Sequence, residues 1–252
     1  MTGAFGLILI GDELLSGKRG DKHFAWVVST LNQRGLKLGW CRILGDDDVR
    51  LTAVLRESFA GDDIVFSCGG IGATPDDRTR ACAAAALGVP LEPHPEGTRL
   101  IEARYGQAAR PQRVRMAEFP RGARPIPNPV NNVPGFSVGR VHFVPGFPNM
   151  AWPMIEWVLD TEYRQLQAAP EIELLLRVQG SGEGDLIPVM EAILAAHPTV
   201  KLSSLPETGN RLEIELSIRG AAPEAQPAYG ELRAKLLQLG LRVTDEREIK
   251  YG

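Results

Sequence analysis

The chain has 252 residues, 44% of them hydrophobic, which is enough for one large domain or two modest ones, each with its own core. Its 28 basic and 31 acidic residues leave a formal net charge of −3, with no basic run to track a phosphate backbone, so nucleic acid is not expected as a partner. Cys41, Cys68 and Cys82 are widely spaced and lack a ligand-spaced histidine pair, and there is no basic leader and no apolar run near the roughly 18 residues of a membrane span, so a soluble cytoplasmic protein without disulfides, zinc or membrane contact is expected.

Apolar Phe5 to Ile10 reads as a strand, Gly11 to Asp21 as a polar turn, and Phe24 to Leu31 as an amphipathic helix that Gly35 ends. Leu38 to Leu44 is a second strand. Val49 to Phe59 is a helix with apolar residues at 51, 54, 55 and 59, and Asp46, Asp47 and Asp48 stand where they can cap it. Ile64 to Ser67 is a third strand and alanine-rich Arg80 to Leu87 a third helix. This alternation predicts an α/β fold with a mostly parallel sheet, helices on both faces, and ligands at the carboxyl ends of the strands.

Between that third strand and helix lies Ser67-Cys68-Gly69-Gly70-Ile71-Gly72-Ala73-Thr74-Pro75-Asp76-Asp77-Arg78-Thr79. Gly69, Gly70 and Gly72 let the backbone approach a ligand, while Thr74 is placed to cap the helix and Pro75 to occupy its first position. Free amides in such a turn favour an anion. Asp76 and Asp77 have a simple reading as partners of the helix dipole. Beside an anion-binding turn, however, two carboxylates would repel a phosphate unless a divalent cation lay between them, and a magnesium-bridged phosphate resolves that conflict.

From Pro90 to Pro148 eleven prolines break most regular structure, and the segment reads as an extended insertion containing the short strand Val141 to Val144. Asn149 to Gln165 is a helix closing the first domain. Ala168-Ala169-Pro170 marks a boundary between domains 1–168 and 169–252. The second domain reads as β-α-β-β-α over Ile172 to Val178, Leu186 to Ala196, Val200 to Leu205, Leu212 to Ile218 and Glu224 to Leu239, with Leu241 to Thr244 as a last strand, a small α+β split-βαβ unit.

Several motifs fail on context. Gly135-Phe136-Ser137-Val138-Gly139 fits a nucleophile elbow, but proline-rich coil precedes it and a strand follows. Gly11 to Lys18 has one residue too many for a Walker loop, with Arg19 where serine or threonine belongs. Gly70 to Pro75 lacks the third glycine of a dinucleotide fingerprint. His23, His94, His142 and His197 read as surface or satisfied core histidines, with only His23 near the proposed pocket, and Trp152 and Trp157 as core or interface anchors. Gly180 to Gly184 reads as a strand-to-helix turn.

Gly11-Asp12-Glu13-Leu14-Leu15-Ser16-Gly17, Gly45-Asp46-Asp47, the glycine segment 69–79 and Val144-Pro145-Gly146-Phe147-Pro148, in that order, resemble the MoaB/Mog molybdopterin-binding superfamily, nearest to the N-terminal part of the CinA competence/damage-inducible group. The resemblance implies a three-layer fold over roughly residues 5–165, with a phosphate cradle at Gly69, Gly70 and Gly72. It also implies a catalytic or magnesium-linked carboxylate at Asp77, and pocket positions at Asp12, Ser16, Asp46, Pro145 and Gly146. It further implies binding of molybdopterin or an adenine nucleotide, adenylyl transfer in some members, magnesium-dependent ADP-ribose pyrophosphatase activity in CinA-type members, and self-association into a homo-oligomer. Three departures stand out: Asp21-Lys22-His23 replaces the usual Asp-Thr-Asn, so that Lys22 is available to a phosphate; Ile71 removes a threonine hydroxyl from the cradle; and the chain ends without the amide-hydrolysing domain of longer CinA proteins, so nicotinamide-nucleotide deamidation is not expected. Carriage of a pterin or nucleotide and magnesium-dependent hydrolysis both remain open, with adenylyl transfer resting on the superfamily alone.

Overall fold

The computed structural model describes residues 3–207 and 210–250 and divides into two compact units, one up to Thr30 and again over Lys37–Leu166, the other Leu31–Leu36 and from Gln167 onward. In the first, β1 (Phe5–Ile10), β2 (Leu38–Leu44) and β3 (Ile64–Cys68) alternate with a single helical turn α1 (Asp12–Leu15) and helices α2 (His23–Gln33), α3 (Asp48–Ala60) and α4 (Thr79–Leu87). These strands follow the predicted bounds to within a residue. Every side chain of β1 and β3 is buried, as a parallel sheet covered on both faces requires.

One face of the sheet packs Ile8, Ile10 and Val65 against Leu51 and Leu55 of α3 and Cys82 and Ala83 of α4. Leu7, Leu9 and Phe66 are buried on the opposite face, as are Val27 of α2 and Met154, Ile155 and Val158 of a later helix. Trp26 of α2 stacks on Trp152 of that helix at 4.9 Å and 3°, both rings half-buried.

The proline-rich segment is more regular than predicted. It forms β4 (Leu91–Pro93), helix α5 (Pro95–Tyr105), two 3₁₀ turns, β5 (Glu118–Pro120), β6 (Arg124–Ile126), β7 (Gly135–Val138) and β8 (Val141–Val144). Proline at the first position of α5 forfeits no hydrogen bond, because that N–H has no partner in any helix, and His94 Nδ1 caps the helix by accepting from Gly97 N. The main sheet runs β2-β1-β3-β8-β7-β6, with β2, β1, β3 and β8 parallel and the β8-β7-β6 edge antiparallel. Helix α6 (Pro148–Glu162) follows.

The elbow-like serine lies inside β7, not at a strand-to-helix turn. Its hydroxyl is 2.8 Å from His142 Nδ1, and His142 Nε2 is 2.8 Å from the Tyr163 hydroxyl, all within the core. Burial pulls the His142 pKa down to about 3 from its ordinary 6.5. Between those values the unfolded chain binds a proton that the folded chain refuses. Stability contributed by the neutral ring is therefore complete above about pH 6.5 and lost as pH falls toward 3, with a slope approaching about 1.4 kcal/mol per pH unit. Urea unfolding at stepped pH is expected to show that slope, and His142→Gln to flatten it.

The second unit contains β9 (Ile172–Gln179), α7 (Glu183–Ala196), β10 (Lys201–Glu207), β11 (Asn210–Gly220), α8 (Ala222–Gln238) and β12 (Arg242–Lys250). Its antiparallel sheet runs β10-β11-β9-β12, the order of the split βαβ arrangement. Leu176, Val178, Leu216 and Ile218 pack under Ala225, Leu232 and Leu236 of α8. Gly180 to Gly182 form the turn into α7, which Gly182 begins without a side-chain cap.

Candidate functional site

The carboxyl ends of β1, β3 and β8 open on a cleft of about 450 Å³. Its inner wall is the loop Gly69–Thr74. Three main-chain carbonyls of that loop are pinned: Thr79 Oγ1 donates to Gly69 O at 3.0 Å, Thr79 N to Gly70 O at 3.0 Å, and Arg80 Nη2 to Gly72 O at 2.6 Å. The amides of Gly70, Ile71, Gly72 and Ala73, by contrast, have no acceptor among the described residues. Pinning the oxygens of Gly69, Gly70 and Gly72 leaves four successive amides unspent, the arrangement of an anion nest. Gly69 contributes shape alone, since its own amide donates to Val144 O at 3.0 Å.

Helix α4 starts at Thr79, four residues later than the Thr74-Pro75 signature suggests. The reason is local. Asp77 Oδ2 accepts from both the amide and the hydroxyl of Thr74, closing residues 74–77 into a turn that the helix cannot enter. Asp77 thus holds the loop with one oxygen and keeps Oδ1 for another partner. Asp76 is exposed in the lining.

The three successive aspartates at the start of α3 have separate roles. Asp47 caps the helix, accepting from Arg50 N at 2.7 Å, and Asp48 pairs with Arg78, tying α3 to the segment after the glycine loop. Asp46 exchanges hydrogen bonds with Asp12: Asp12 N donates to Asp46 Oδ2 at 3.2 Å and Asp46 N to Asp12 Oδ1 at 3.1 Å. Asp12 and Ser16 are exposed outside the lining of the cleft, Ser16 donating to Glu13 O at 3.3 Å, while Asp46, Thr74, Pro145 and Gly146 line it. Burial, and then the charges of Asp12, Glu13 and Asp76, raise the Asp46 pKa, although the Asp12 amide opposes the shift. The cleft mouth is acidic. Among the described residues, no three Asp, Glu, His or Cys side chains converge closely enough to hold a metal ion by themselves.

Sequence reasoning missed two parts of the site. One is Arg80, 6% exposed, whose guanidinium donates to Arg115 O and Glu118 O as well as to Gly72 O, clamping the glycine loop to the insertion. The other is the outer wall, Tyr105, Met116, Asn128, Asn131 and Val133, drawn from the proline-rich segment. Asn128 is buried and donates to Val133 O, and Asn131 accepts from Val133 N, which fixes that wall. Ile71 turns into the core with Cys82 and Phe119, so packing stands where a hydroxyl was expected to be lost.

Residues 6–165 match the family described as "Probable molybdopterin binding domain". A protein of Pyrobaculum calidifontis is 30% identical over 244 residues, 92% of this chain and 93% of that one. A CinA-like protein of Anaeromyxobacter sp. is 38% identical over 177 residues; the match covers 67% of this chain but only 43% of that protein. Among solved structures, the CinA protein of Thermoplasma acidophilum, of unknown function, is 30% identical with a TM-score of 0.58, covering 63% of this chain and 97% of that one. No helix among the described residues is long and apolar enough to cross a membrane.

Proposed function

The chain belongs to the probable molybdopterin-binding domain family and is CinA-like, and on that premise we propose that it binds the phosphate of a pterin or nucleotide at the loop Gly70–Ala73. The observation carrying this reading is the set of four unspent amides whose neighbouring carbonyls are pinned by Thr79 and Arg80. A terminal phosphate or a pyrophosphate presents the acceptor oxygens such a nest requires.

The acidic mouth favours a second reading, magnesium-dependent cleavage of a nucleotide diphosphate sugar such as ADP-ribose. Magnesium is commonly held by one or two carboxylates together with phosphate oxygens and waters, so a protein cage is not needed. Asp46, Asp76 and the free oxygen of Asp77 fit that demand, and a cation there would offset the burial, and then the acidic neighbours, that raise the Asp46 pKa. Bound there, the metal would neutralise phosphate charge. The chain's own share is to orient the phosphate through residues 70–73 and to keep Asp77 in place through Thr74.

Calorimetric titration with inorganic pyrophosphate tests the first reading. Binding is expected, at least about tenfold tighter with magnesium, and Asp76→Asn combined with Asp46→Asn should erase the magnesium advantage. No heat with or without magnesium refutes phosphate binding. Incubation with ADP-ribose and magnesium tests the second: AMP formation abolished by Asp77→Ala supports hydrolysis, and no AMP with any divalent metal leaves carriage.

A further inference from the structure

Four carboxylate side chains line the cleft, Glu13, Asp46, Asp76 and Asp77, against one basic side chain, Arg19. An anion entering that field is repelled before it reaches the amides of residues 70–73. Main-chain amides carry partial charges only, so offsetting the carboxylates takes a full positive charge. Magnesium is one source of it. The chain itself holds another.

Arg19 lies in the loop between α1 and α2, bracketed by Gly17 and Gly20. Its backbone is fixed, the amide donating to Glu13 O at 3.1 Å, just as Gly17 N donates to Leu14 O at 3.2 Å. Its side chain is not: the residue is exposed, and among the described residues the guanidinium has no hydrogen bond, ion pair or ring contact. The arginines that follow the glycine loop are already committed, Arg78 to Asp48 and Arg80 to the carbonyls of Gly72, Arg115 and Glu118. Arg19 stands unpaired although the other charged groups of the lining are carboxylates, so its donors are open to a ligand. A guanidinium meets phosphate oxygens with two parallel hydrogen bonds and is more weakly hydrated than an ammonium. Lys22, which the sequence makes available to a phosphate, does not line this cleft, and neither does Lys18.

We infer that Arg19 is a specificity-determining residue for the anion, the built-in counter-charge that lets the cleft hold a phosphate with no metal bound. It takes the phosphate oxygens that face away from residues 70–73, and it stands in for part of what magnesium supplies there. The inference rests on the glycine-loop reading for where the phosphate sits. Its consequence is that Arg19 and the metal are partly interchangeable, so the loss of the arginine is felt most where the metal is absent.

The test titrates the full chain with inorganic pyrophosphate in the calorimeter, once with a chelator and once with magnesium. The wild type should bind under both conditions. Arg19→Gln should weaken binding at least about tenfold in the chelator and clearly less with magnesium, and Arg19→Lys should recover part of the loss. Urea unfolding of Arg19→Gln should match the wild type, because the side chain has no partner to lose. Lys18→Gln removes the same charge one residue away, on an exposed side chain outside the lining, and should change affinity by no more than about twofold. Wild-type binding seen only with magnesium, an Arg19→Gln protein that binds as well as the wild type in the chelator, or equal losses with and without the metal would overturn the inference and leave the glycine-loop reading standing. No binding by the wild type under either condition would sink the glycine-loop reading, and this inference with it.

Discussion

Gly70→Ala is expected to weaken pyrophosphate binding by about 100-fold or more and to destabilise the first unit by about 1–3 kcal/mol. Gly70 has φ +66°, where a side chain is strained, and an added Cβ would lie 2.2 Å from Thr79 Oγ1. That oxygen cannot step aside freely: Thr79 is fully buried, and its hydroxyl and amide hold the carbonyls of Gly69 and Gly70. The methyl group therefore pushes the loop off Thr79 and turns the amides of residues 70–73 out of register. Gly88 provides the control. It has a similar φ of +68° at the end of α4 but open space around it, so Gly88→Ala should carry the backbone cost and leave pyrophosphate affinity untouched. Equal effects on binding from the two substitutions would show that general destabilisation, not loop geometry, is being measured.

Arg80→Met is expected to cost about 3 kcal/mol or more in urea unfolding, a large share of the stability of a domain, and to weaken pyrophosphate binding with it. Methionine keeps the length of the side chain but removes the donors to Gly72 O, Arg115 O and Glu118 O, leaving three part-buried acceptors without them. Burial already pulls the Arg80 pKa below its ordinary value, against the opposing charges of Glu118 and Asp77. The guanidinium thus remains in place through its carbonyl partners. Arg80→Lys should recover only part of the loss, because an ammonium cannot span the same fork of acceptors. Full recovery by lysine would mean that charge alone, and not the clamp, matters.

The strands were legible because side-chain burial on both faces of a parallel sheet leaves unbroken apolar runs such as Phe5–Ile10 and Ile64–Cys68. The glycine loop was legible for a related reason: three glycines at a strand end have few structural uses other than close approach of main chain. Helix α5 was not, because Pro90, Pro93 and Pro95 read as breakers, whereas Pro95 falls where a helix tolerates proline. Thr74-Pro75 misled in the opposite direction, since the hydroxyl that could cap a helix is taken by Asp77 three residues on. Arg80 sits in a run of alanines like any solvated arginine, and its partners lie 35 and 38 residues away at Arg115 and Glu118. Pairings at that separation leave no local periodicity. The same holds for the outer wall at Tyr105, Asn128 and Asn131.

The central claim is that Gly70, Ile71, Gly72 and Ala73 donate their main-chain hydrogens to a phosphate. It is most directly tested by following backbone amides of the ¹⁵N-labelled protein during titration with pyrophosphate and magnesium. The amides of those four residues should move downfield together and saturate at one stoichiometry, while Gly69, already bonded to Val144, stays near its starting position. Saturable binding that leaves residues 70–73 unmoved and shifts amides elsewhere would contradict the account.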